Sequence, residues 1–268
     1  MGLIDEPHIQ PISLLEMSEE RNRLGQPIGP AVPGWRKRLE PPKTPMTGRF
    51  CRLELLDVER HAADLWAANS LDREGRMWTY LPWGPFGGFD QYLGYLQAVA
   101  PKKDPLIHAI IDTDTGKAVG VASYLRINAD AGTIEVGGLA YSPLLQRRPA
   151  ATEAMYLMMR RIFDELGYRR YEWKRNALNA PSRAAAIRLG FQFEGIFRKA
   201  DVVKGRNRDT AWFAIIDQEW PTLRAAFERW LDPSNFDETG RQRVSLSSLT
   251  AGVDQGGRSQ AVSGDRVN

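Results

Sequence analysis

The connection into the most regular helix pattern constrains the fold of this chain more than any other segment. Residues 142–155 read SPLLQRRPAATEAM and join a strand pattern at 133–142 to an amphipathic helix pattern at 151–166. Apolar residues recur in this helix three and four positions apart, and Gly167 follows where a helix C-cap is expected. A plain connector would use Gly, Asn or Asp, so the Gln-Arg-Arg sequence indicates a specific role for this turn.

Strand and helix patterns alternate along the middle of the chain. Strands are predicted at 49–56, 106–112, 117–127, 133–142, 168–174, 191–204 and 208–220, and helices at 57–70, 89–100, 151–166, 180–190 and 219–231. Antiparallel hairpins therefore surround one strand–helix–strand crossover. This order predicts an α+β fold with a mixed, mostly antiparallel central sheet of about seven strands and helices on both faces.

The two ends of the chain lack regular patterns. Residues 1–48 carry scattered Pro and Gly and are predicted to form an extended N-terminal arm. Residues 232–268 are poor in large apolar side chains and rich in Ser, Gly and polar groups. Such a composition cannot repay the entropy lost on ordering, so this segment is predicted to be a disordered tail. One domain, residues 49–231, is expected between them.

Composition excludes several functional classes for these 268 residues. A net charge of +3 is small for this length and does not indicate a nucleic-acid-binding protein. No apolar run is long enough to span a bilayer, and the N-terminus lacks a signal pattern. Cys51 is the single cysteine, so internal disulfides and cysteine-based metal sites are excluded. We expect a cytoplasmic protein without a metal and without nucleic-acid or membrane partners.

The turn before the third predicted helix has features of an anion site. A strand, a short turn and a helix N-terminus bring unpaired backbone N–H groups and the positive end of the helix dipole together. Pro149 suits the first helical position, and the small residues Ala150 and Ala151 let a ligand approach the backbone. The side-chain donors for a phosphate are Gln146, Arg147, Arg148 and Thr152. The alternative is an ordinary helix preceded by a solvated arginine pair.

The turn, the element order and the segment LNAPSRAAAIRLGFQFEGIFR at 178–198 together resemble the GNAT superfamily of N-acetyltransferases. Within it they resemble the RimJ/RimL branch, which includes enzymes that acetylate the α-amino group of ribosomal proteins. The resemblance covers about residues 49–218. The superfamily's pyrophosphate loop typically reads Gln/Arg-x-x-Gly-x-Gly/Ala, whereas residues 146–151 read QRRPAA, with proline at the first glycine position. The resemblance implies a GNAT-type sheet and acetyl-CoA as the acetyl-donor cosubstrate, held by residues 146–152.

A second motif, NAPSRAAAIRLGF at 179–191, matches the family's Asn-x-x-Ser/Ala segment that ends in Gly-Phe. The resemblance implies that Asn179 bonds the pantetheine arm and that Ser182 lies near the thioester sulfur. Either residue can instead cap the helix, which is the commoner use of Asn and Ser at such positions. Many members carry a tyrosine at the position of Ala186, where it protonates the leaving thiolate. Ser182 is the nearest candidate acid here.

The strand at 133–142 is predicted to carry the chemistry. Strict alternation places one set of side chains in the core, namely Ile134, Val136 and Ala140, and a second set on the opposite side, namely Glu135, Gly137 and Leu139. The family's acyl arm inserts between this strand and the strand at 168–174. The resemblance therefore implies that amides near Gly138 and Leu139 polarise the thioester carbonyl.

Glu135 is the candidate general base, acting directly or through water, because an amine acceptor arrives protonated and must lose a proton before it attacks. The alternative is a surface glutamate on an exposed strand face, with Glu172 as the reserve base. His61 is predicted to be exposed on a helix, and His108 is predicted to be a core histidine.

The loop at 77–92, MWTYLPWGPFGGFDQY, is rich in aromatic residues. Its candidate acceptor contacts are Trp78, Tyr80, Trp83 and Phe86, and the alternative is a small satellite core under the loop. Clustered carboxylates are missing from this segment, which favours a peptide N-terminus over a polyamine as the acceptor. Acetylation of a small amine, such as an antibiotic or toxin, and a non-catalytic acyl-CoA sensor remain alternatives, and a homodimer stays open.

Overall fold

A computed structural model describes residues 20–251, which fall into two units that divide between Arg36 and Lys37. In the first unit, residues 20–36 contain an antiparallel bridge between Arg21 and Pro27. The second unit, from Lys37 onward, contains the helices and the sheet. The compact domain therefore begins earlier than the predicted boundary after residue 48. Residues 1–19 of the predicted arm lie outside the described residues.

The strands and helices follow the predicted order. The strands are β1 (Met46–Thr47), β2 (Cys51–Leu55), β3 (Leu106–Asp112), β4 (Ala118–Asn128), β5 (Thr133–Tyr141), β6 (Arg170–Asn176), β7 (Gln192–Val203) and β8 (Arg206–Ile216). The helices are α1 (Val58–Asn69), α2 (Phe89–Val99), α3 (Pro149–Arg160), α4 (Ala180–Arg188), α5 (Trp220–Leu231) and α6 (Leu246–Thr250). A π-helical turn, Arg161–Glu165, extends α3. Sequence analysis missed β1 and α6 because each is too short to show a period.

The sheet has eight strands in the order β1-β2-β3-β4-β5-β6-β8-β7. Each neighbouring pair is antiparallel except β5 and β6, which are parallel because α3 forms the crossover between them. The predicted α+β fold with a mixed, mostly antiparallel sheet is confirmed. The sheet has eight strands where about seven were predicted, because Met46 and Thr47 pair with Leu53 and Arg52 and add the edge strand β1.

The core lies on both faces of the sheet, as the strand β3 shows. Leu106 and Ile110 join the cluster that contains Met155 and Met158 of α3. The alternate residues Ile107, Ala109 and Ile111 join the cluster that contains Leu65 of α1 and Leu96 of α2. β3 is therefore a central strand buried on both sides, which explains its nearly continuous apolar sequence.

The predicted disordered tail is wrong for residues 232–251. The side chain of Asn235 donates to the carbonyl oxygens of Trp230 and Val244, and its oxygen accepts from the Val244 N–H at 2.8 Å. Leu246 of α6 is 1% exposed and belongs to the core. The average composition of the segment does not show these contacts, because one buried amide and one buried leucine are enough to order a short segment. Residues 252–268 lie outside the described residues.

A buried glutamate of α3 fixes the start of β2. The Glu153 carboxylate accepts from three successive backbone N–H groups, those of Arg49 at 2.7 Å, Phe50 at 2.6 Å and Cys51 at 2.8 Å. A Cβ at Gly48 would clash with the Glu153 carboxyl group, so a larger residue there would displace this carboxylate from its three donors. This clasp joins the first turns of α3 to the start of β2, near the β1 edge of the sheet.

We predict that Glu153→Gln lowers the free energy of unfolding by about 2–4 kcal/mol, because an amide replaces a charged acceptor and its NH₂ group opposes the N–H donors. Urea denaturation measures the change. Glu59→Gln, on the exposed first turn of α1, is the control and should change stability by less than about 0.5 kcal/mol. A loss at Glu153 no larger than that of the control would contradict this account of the clasp.

Candidate active site

The sheet opens between its parallel strands. β5 and β6 pair at Thr133–Glu135 and Arg170–Glu172 and then separate. Beyond this point β5 stays paired with β4 up to Tyr141, and β6 stays paired with β8 up to Asn176. The two halves of the sheet therefore diverge and leave a gap between the carboxyl-terminal ends of β5 and β6.

A bulge at Gly138 bends β5 along this gap. Gly138 has a φ of 60°, and the register of β5 on β4 shifts between Gly137 and Ala140. The left-handed conformation suits glycine, and a Cβ here would lie 3.1 Å from the Ser123 hydroxyl and 3.7 Å from the Trp83 ring. Gly138 and Leu139 have no register partner on β4, and they lie beyond the last β5–β6 pair, on the part of β5 that borders the gap.

The bulge also reverses the face of the sheet on which each later side chain of β5 lies. Leu139 packs with Ile134 and Val136 against the α3 side of the core, whereas Ala140 packs in the cluster with α1 and α2. The predicted grouping of Ala140 with the first set and of Leu139 with the second is therefore wrong. Alternation holds only as far as Gly138, because the extra residue of the bulge shifts each later side chain to the other face.

Glu135 is the last residue of β5 that pairs with β6, and it lies at the base of the gap. Its side chain is 4% exposed, so the alternative of a surface glutamate is wrong. The carboxylate accepts from Arg126 Nη1 at 2.5 Å and lies 3.4 Å from Lys174 Nζ. Burial raises the pKa of the Glu135 carboxyl, and the charges of Arg126 and Lys174 offset this only in part.

Glu172 sits beside Glu135 in the parallel register but in a different environment. It accepts from Arg170 Nε at 2.7 Å and forms an ion pair with Lys174 at 2.6 Å. Although burial opposes the change, these two partners lower the pKa of the Glu172 carboxyl. The two neighbouring carboxyls are thus shifted in opposite directions, and Glu135 is the one better suited to take up a proton near neutral pH.

The turn before α3 presents its arginines to solvent. Arg147 and Arg148 are exposed, and Pro149 opens α3. Arg147 has a φ of 61°, a conformation that is uncommon for a residue with a side chain and that occurs often at ligand clamps. Gln146 donates its side-chain N–H to the carbonyl of Tyr141 at 2.7 Å, which ties the turn to the end of β5.

The first turn of α3 differs from the prediction at Thr152. Ala151 is partly exposed next to the turn, while Ala150 is buried. Thr152 is 2% exposed, and its hydroxyl accepts from Arg188 Nη2 at 2.9 Å. Thr152 therefore links α3 to α4 and is not on the exposed surface of the turn.

Asn179 and Ser182 lie at the start of α4, directly after β6. The Asn179 side-chain oxygen accepts from the Ser182 N–H at 3.1 Å, so Asn179 is the N-cap of α4. The Ser182 hydroxyl accepts from Trp173 Nε1 at 3.1 Å. Asn179 can cap the helix and also bind a ligand, because the cap uses its side-chain oxygen and leaves its NH₂ group available.

Part of the aromatic loop forms the satellite core that sequence analysis considered. Trp78 is 5% exposed and packs edge-on against Phe86 with centroids 5.4 Å apart. Phe86 in turn contacts Tyr92 and Tyr95 of α2, each at 5.2 Å. These two loop residues therefore anchor the loop to α2.

The rest of the aromatic loop borders the gap. Trp83 stacks on Tyr95 at 5.6 Å and comes close to Gly138 on the β5 side. Tyr80 donates its hydroxyl to the carbonyl of Leu178 at 3.2 Å, just before α4 on the β6 side. Two of the four predicted acceptor contacts, Tyr80 and Trp83, thus lie on opposite sides of the opening.

Neither conspicuous histidine lies in the gap. His61 is 3% exposed, so its prediction as an exposed residue is wrong: Nε2 contacts Glu54 at 2.8 Å, and Nδ1 accepts from the Asp57 N–H. His108 is a core residue of β3, as predicted. Burial, with help from the charge of Arg161, lowers the pKa of His108 to about 4, so its ring is neutral at pH 7.

Sequence analysis missed the two cations that contact Glu135. Lys174 follows Glu172 by two positions, and the period of a strand places both on one face, so this signal was present. Arg126 has a φ of 50° at a shift in the β4–β5 register. Nothing in the local sequence predicts that irregularity.

Comparisons with known proteins identify the family. The model of the acetyltransferase (GNAT) domain matches residues 52–192. A GCN5-related N-acetyltransferase from Brucella melitensis is 44% identical, covers 82% of this chain and 100% of its own, and superposes with a TM-score of 0.81. This chain belongs to the GNAT acetyltransferases. It is therefore an acyltransferase.

Two further solved structures are similar to this GNAT chain. A probable GNAT acetyltransferase from Chromobacterium violaceum is 39% identical, with a TM-score of 0.68, and covers 73% of this chain and 98% of its own. The microcin C7 self-immunity acetyltransferase MccE, in complex with acetyl-CoA and AMP, is 20% identical with a TM-score of 0.55. It covers 63% of this chain and 93% of its own and shares the fold. No curated protein sequence matches the chain.

Two kinds of feature are absent from the described residues. Within residues 20–251, no helix is both long and apolar enough to cross a membrane. No group of three or more His, Cys, Asp or Glu side chains in the same range is arranged to hold a metal ion.

We predict that Gly138→Ala lowers the free energy of unfolding of this GNAT chain by about 1–2 kcal/mol, because alanine tolerates the left-handed conformation poorly. The added Cβ would also crowd the Ser123 hydroxyl. Gly94→Ala is the matched control: it lies in α2 with nothing within 4 Å of the new Cβ and should stabilise by about 0.5–1 kcal/mol. Urea denaturation measures both, and equal effects of the two substitutions would contradict the bulge geometry.

Proposed function

We propose that this protein transfers the acetyl group of acetyl-CoA to a primary amine by direct attack within a ternary complex, and that the acceptor is the α-amine of a peptide or protein, as in the RimJ/RimL branch. The observation that carries the proposal is Glu135, a buried carboxyl with a raised pKa at the point where β5 and β6 part. A base at this position can reach the amine of an acceptor that enters the gap.

The residues around the gap fit acetyl-CoA. Exposed guanidinium groups of Arg147 and Arg148 next to the first turn of α3 suit a pyrophosphate, with Gln146 and the amides after Pro149 completing the site. The side chains of Ala150 and Ala151 add no bulk there. Thr152 takes no part in binding the pyrophosphate, because its hydroxyl is bound to Arg188. Asn179 would hold the pantetheine arm through its side-chain NH₂ group.

The bulge suits a thioester. Gly138 has no side chain on the gap, and the N–H groups near Gly138 and Leu139 would donate to the acetyl carbonyl oxygen as negative charge develops on it. Glu135 would take the proton from the acceptor ammonium, directly or through water, and so free its lone pair for attack on the carbonyl carbon. The C–S bond then breaks, and the thiolate leaves.

Ser182 is the proposed proton donor to this thiolate. Its oxygen already accepts from Trp173 Nε1, so its own proton is free to be donated to the sulfur. Ala186 occupies the position at which many family members carry a tyrosine. Because a thiolate is a good leaving group, a weak donor is sufficient here.

The acceptor side of the gap favours a peptide α-amine. Glu135 and Glu172 both have cationic partners, so neither forms part of an unpaired acidic cluster of the kind that a polyamine requires. Tyr80 and Trp83 supply amphipathic rings that suit the side chains beside a peptide N-terminus. Trp78 and Phe86 support these rings from the satellite core.

Mass spectrometry of a mixed panel of acceptors tests the acceptor class. The protein is incubated with acetyl-CoA, short peptides with free α-amines, the same peptides with blocked N-termini and one lysine, and small amines such as spermidine. We expect a mass gain on the free α-amines alone. A gain confined to small amines would overturn the peptide assignment and indicate detoxification or metabolism. Binding of acetyl-CoA without transfer to any amine would contradict catalysis and favour the sensor.

We predict that Glu135→Gln lowers kcat/KM by about 10²–10⁴-fold, the usual contribution of a general base. The dissociation constant for acetyl-CoA, measured by calorimetry, should stay unchanged because Glu135 does not contact the pyrophosphate turn. Glu172→Gln is the comparison, and it should have a smaller effect on kcat/KM. A larger loss in Glu172→Gln would transfer the role of base to Glu172.

A further inference from the structure

Lys174 lies at the apex of the gap, between the two glutamates. Its ammonium group is 2.6 Å from Glu172 and 3.4 Å from Glu135. β5 and β6 pair for the last time at Glu135 and Glu172, and Lys174 is the next residue of β6 on the same face. A side chain of this length can bridge the strands where they begin to part.

The ammonium group is held in place and shielded from water. The Lys174 side chain is 9% exposed and the Glu135 side chain 4%. Lys174 Nζ also lies 3.8 Å from the centre of the Trp212 ring, within the range of a cation–π contact. Because burial limits solvent screening, the charge of Lys174 acts on Glu135 far more strongly than that of a surface pair would.

The charged groups on the surrounding strands determine how the Lys174 charge is divided between Glu135 and Glu172. Arg126 of β4 faces Glu135, but its side chain is 63% exposed, and so its charge is screened by water. On β6, Glu172 also receives a bond from Arg170, which in turn binds Glu194 of β7. Glu172 therefore has a second cation of its own, and Lys174 is the buried cation available to Glu135.

We propose that Lys174 is a positioning residue for acetyl transfer: it holds the Glu135 carboxylate ionised and directed into the gap until Glu135 takes the acceptor proton, and it stays paired with Glu172 when that charge is neutralised. This inference rests on the proposed function, in which Glu135 is the base. The proton moves from the acceptor nitrogen to a Glu135 oxygen, and no other bond changes in this step. Glu172 keeps the buried ammonium group paired throughout the cycle.

The first test is the pH dependence of kcat/KM for Lys174→Met, which removes the charge, and Lys174→Arg, which keeps it. Relative to the wild type, Lys174→Met should lose about tenfold at pH values below the pKa of the base, corresponding to a rise of one unit in that pKa. The loss should shrink as the pH rises to 9, where Glu135 ionises without help. Lys174→Arg should stay within about threefold at each pH.

The second test needs no acceptor. The ¹³C signals of the glutamate side chains are titrated by NMR in the full chain, and Glu135→Gln assigns the signal of Glu135. Loss of a nearby positive charge destabilises the carboxylate, so the Glu135 midpoint should lie higher in Lys174→Met than in the wild type and return towards the wild-type value in Lys174→Arg.

The outcomes separate the two proposals. An unchanged midpoint in Lys174→Met overturns the role of Lys174 even if the wild type acetylates peptides. A shifted midpoint in a protein that acetylates no amine supports the ion pair and contradicts the proposed function alone. An equal loss of activity at every pH, without rescue by arginine, indicates a structural role for Lys174 and overturns the inference.

Discussion

The parting of β5 from β6 is the constraint on which the site depends. The strands share a parallel ladder only as far as Glu135 and Glu172, after which each keeps its antiparallel partner on the outer side. The bulge at Gly138 bends β5 beyond this point, and pairing with β4 resumes at Ala140. Because α3 follows β5 and α4 follows β6, both helix N-termini begin at the open edge, where the positive ends of the two helix dipoles favour an anion.

The strands on either side of β5 determine the electrostatics at the base of the gap. Arg126 of β4 and Lys174 of β6 both reach the Glu135 carboxylate. Burial raises the pKa of the Glu135 carboxyl, ion pairing lowers it, and burial has the larger effect. For the Glu172 carboxyl, the hydrogen bonds and charges of its partners have the larger effect, so its pKa is lowered. Two adjacent glutamates thus acquire different proton affinities from their surroundings, and one of them becomes suitable for proton transfer.

Local periodicity was enough to predict the strands and helices, including β3 at residues 106–112 and the crossover through α3. The gap between β5 and β6 was expected from the resemblance to the GNAT superfamily, which the turn before α3 and the motif that begins at Asn179 carry. What the sequence did not reveal depends on tertiary register: the reversal of Leu139 and Ala140 follows from a bulge, and the burial of His61 follows from the position of α1 beside Glu54. The order of residues 232–251 depends on a few buried anchors such as Asn235 that average composition does not show.

The most direct measurement of the central claim is a crystal structure of the protein with acetyl-CoA. The account predicts the pyrophosphate at the turn of residues 146–151, the pantetheine arm beside Asn179, and the acetyl carbonyl within hydrogen-bonding distance of the N–H groups near Gly138 and Leu139, on the side facing Glu135. Acetyl-CoA bound outside the gap between β5 and β6, or with its acetyl group away from Glu135, would contradict it.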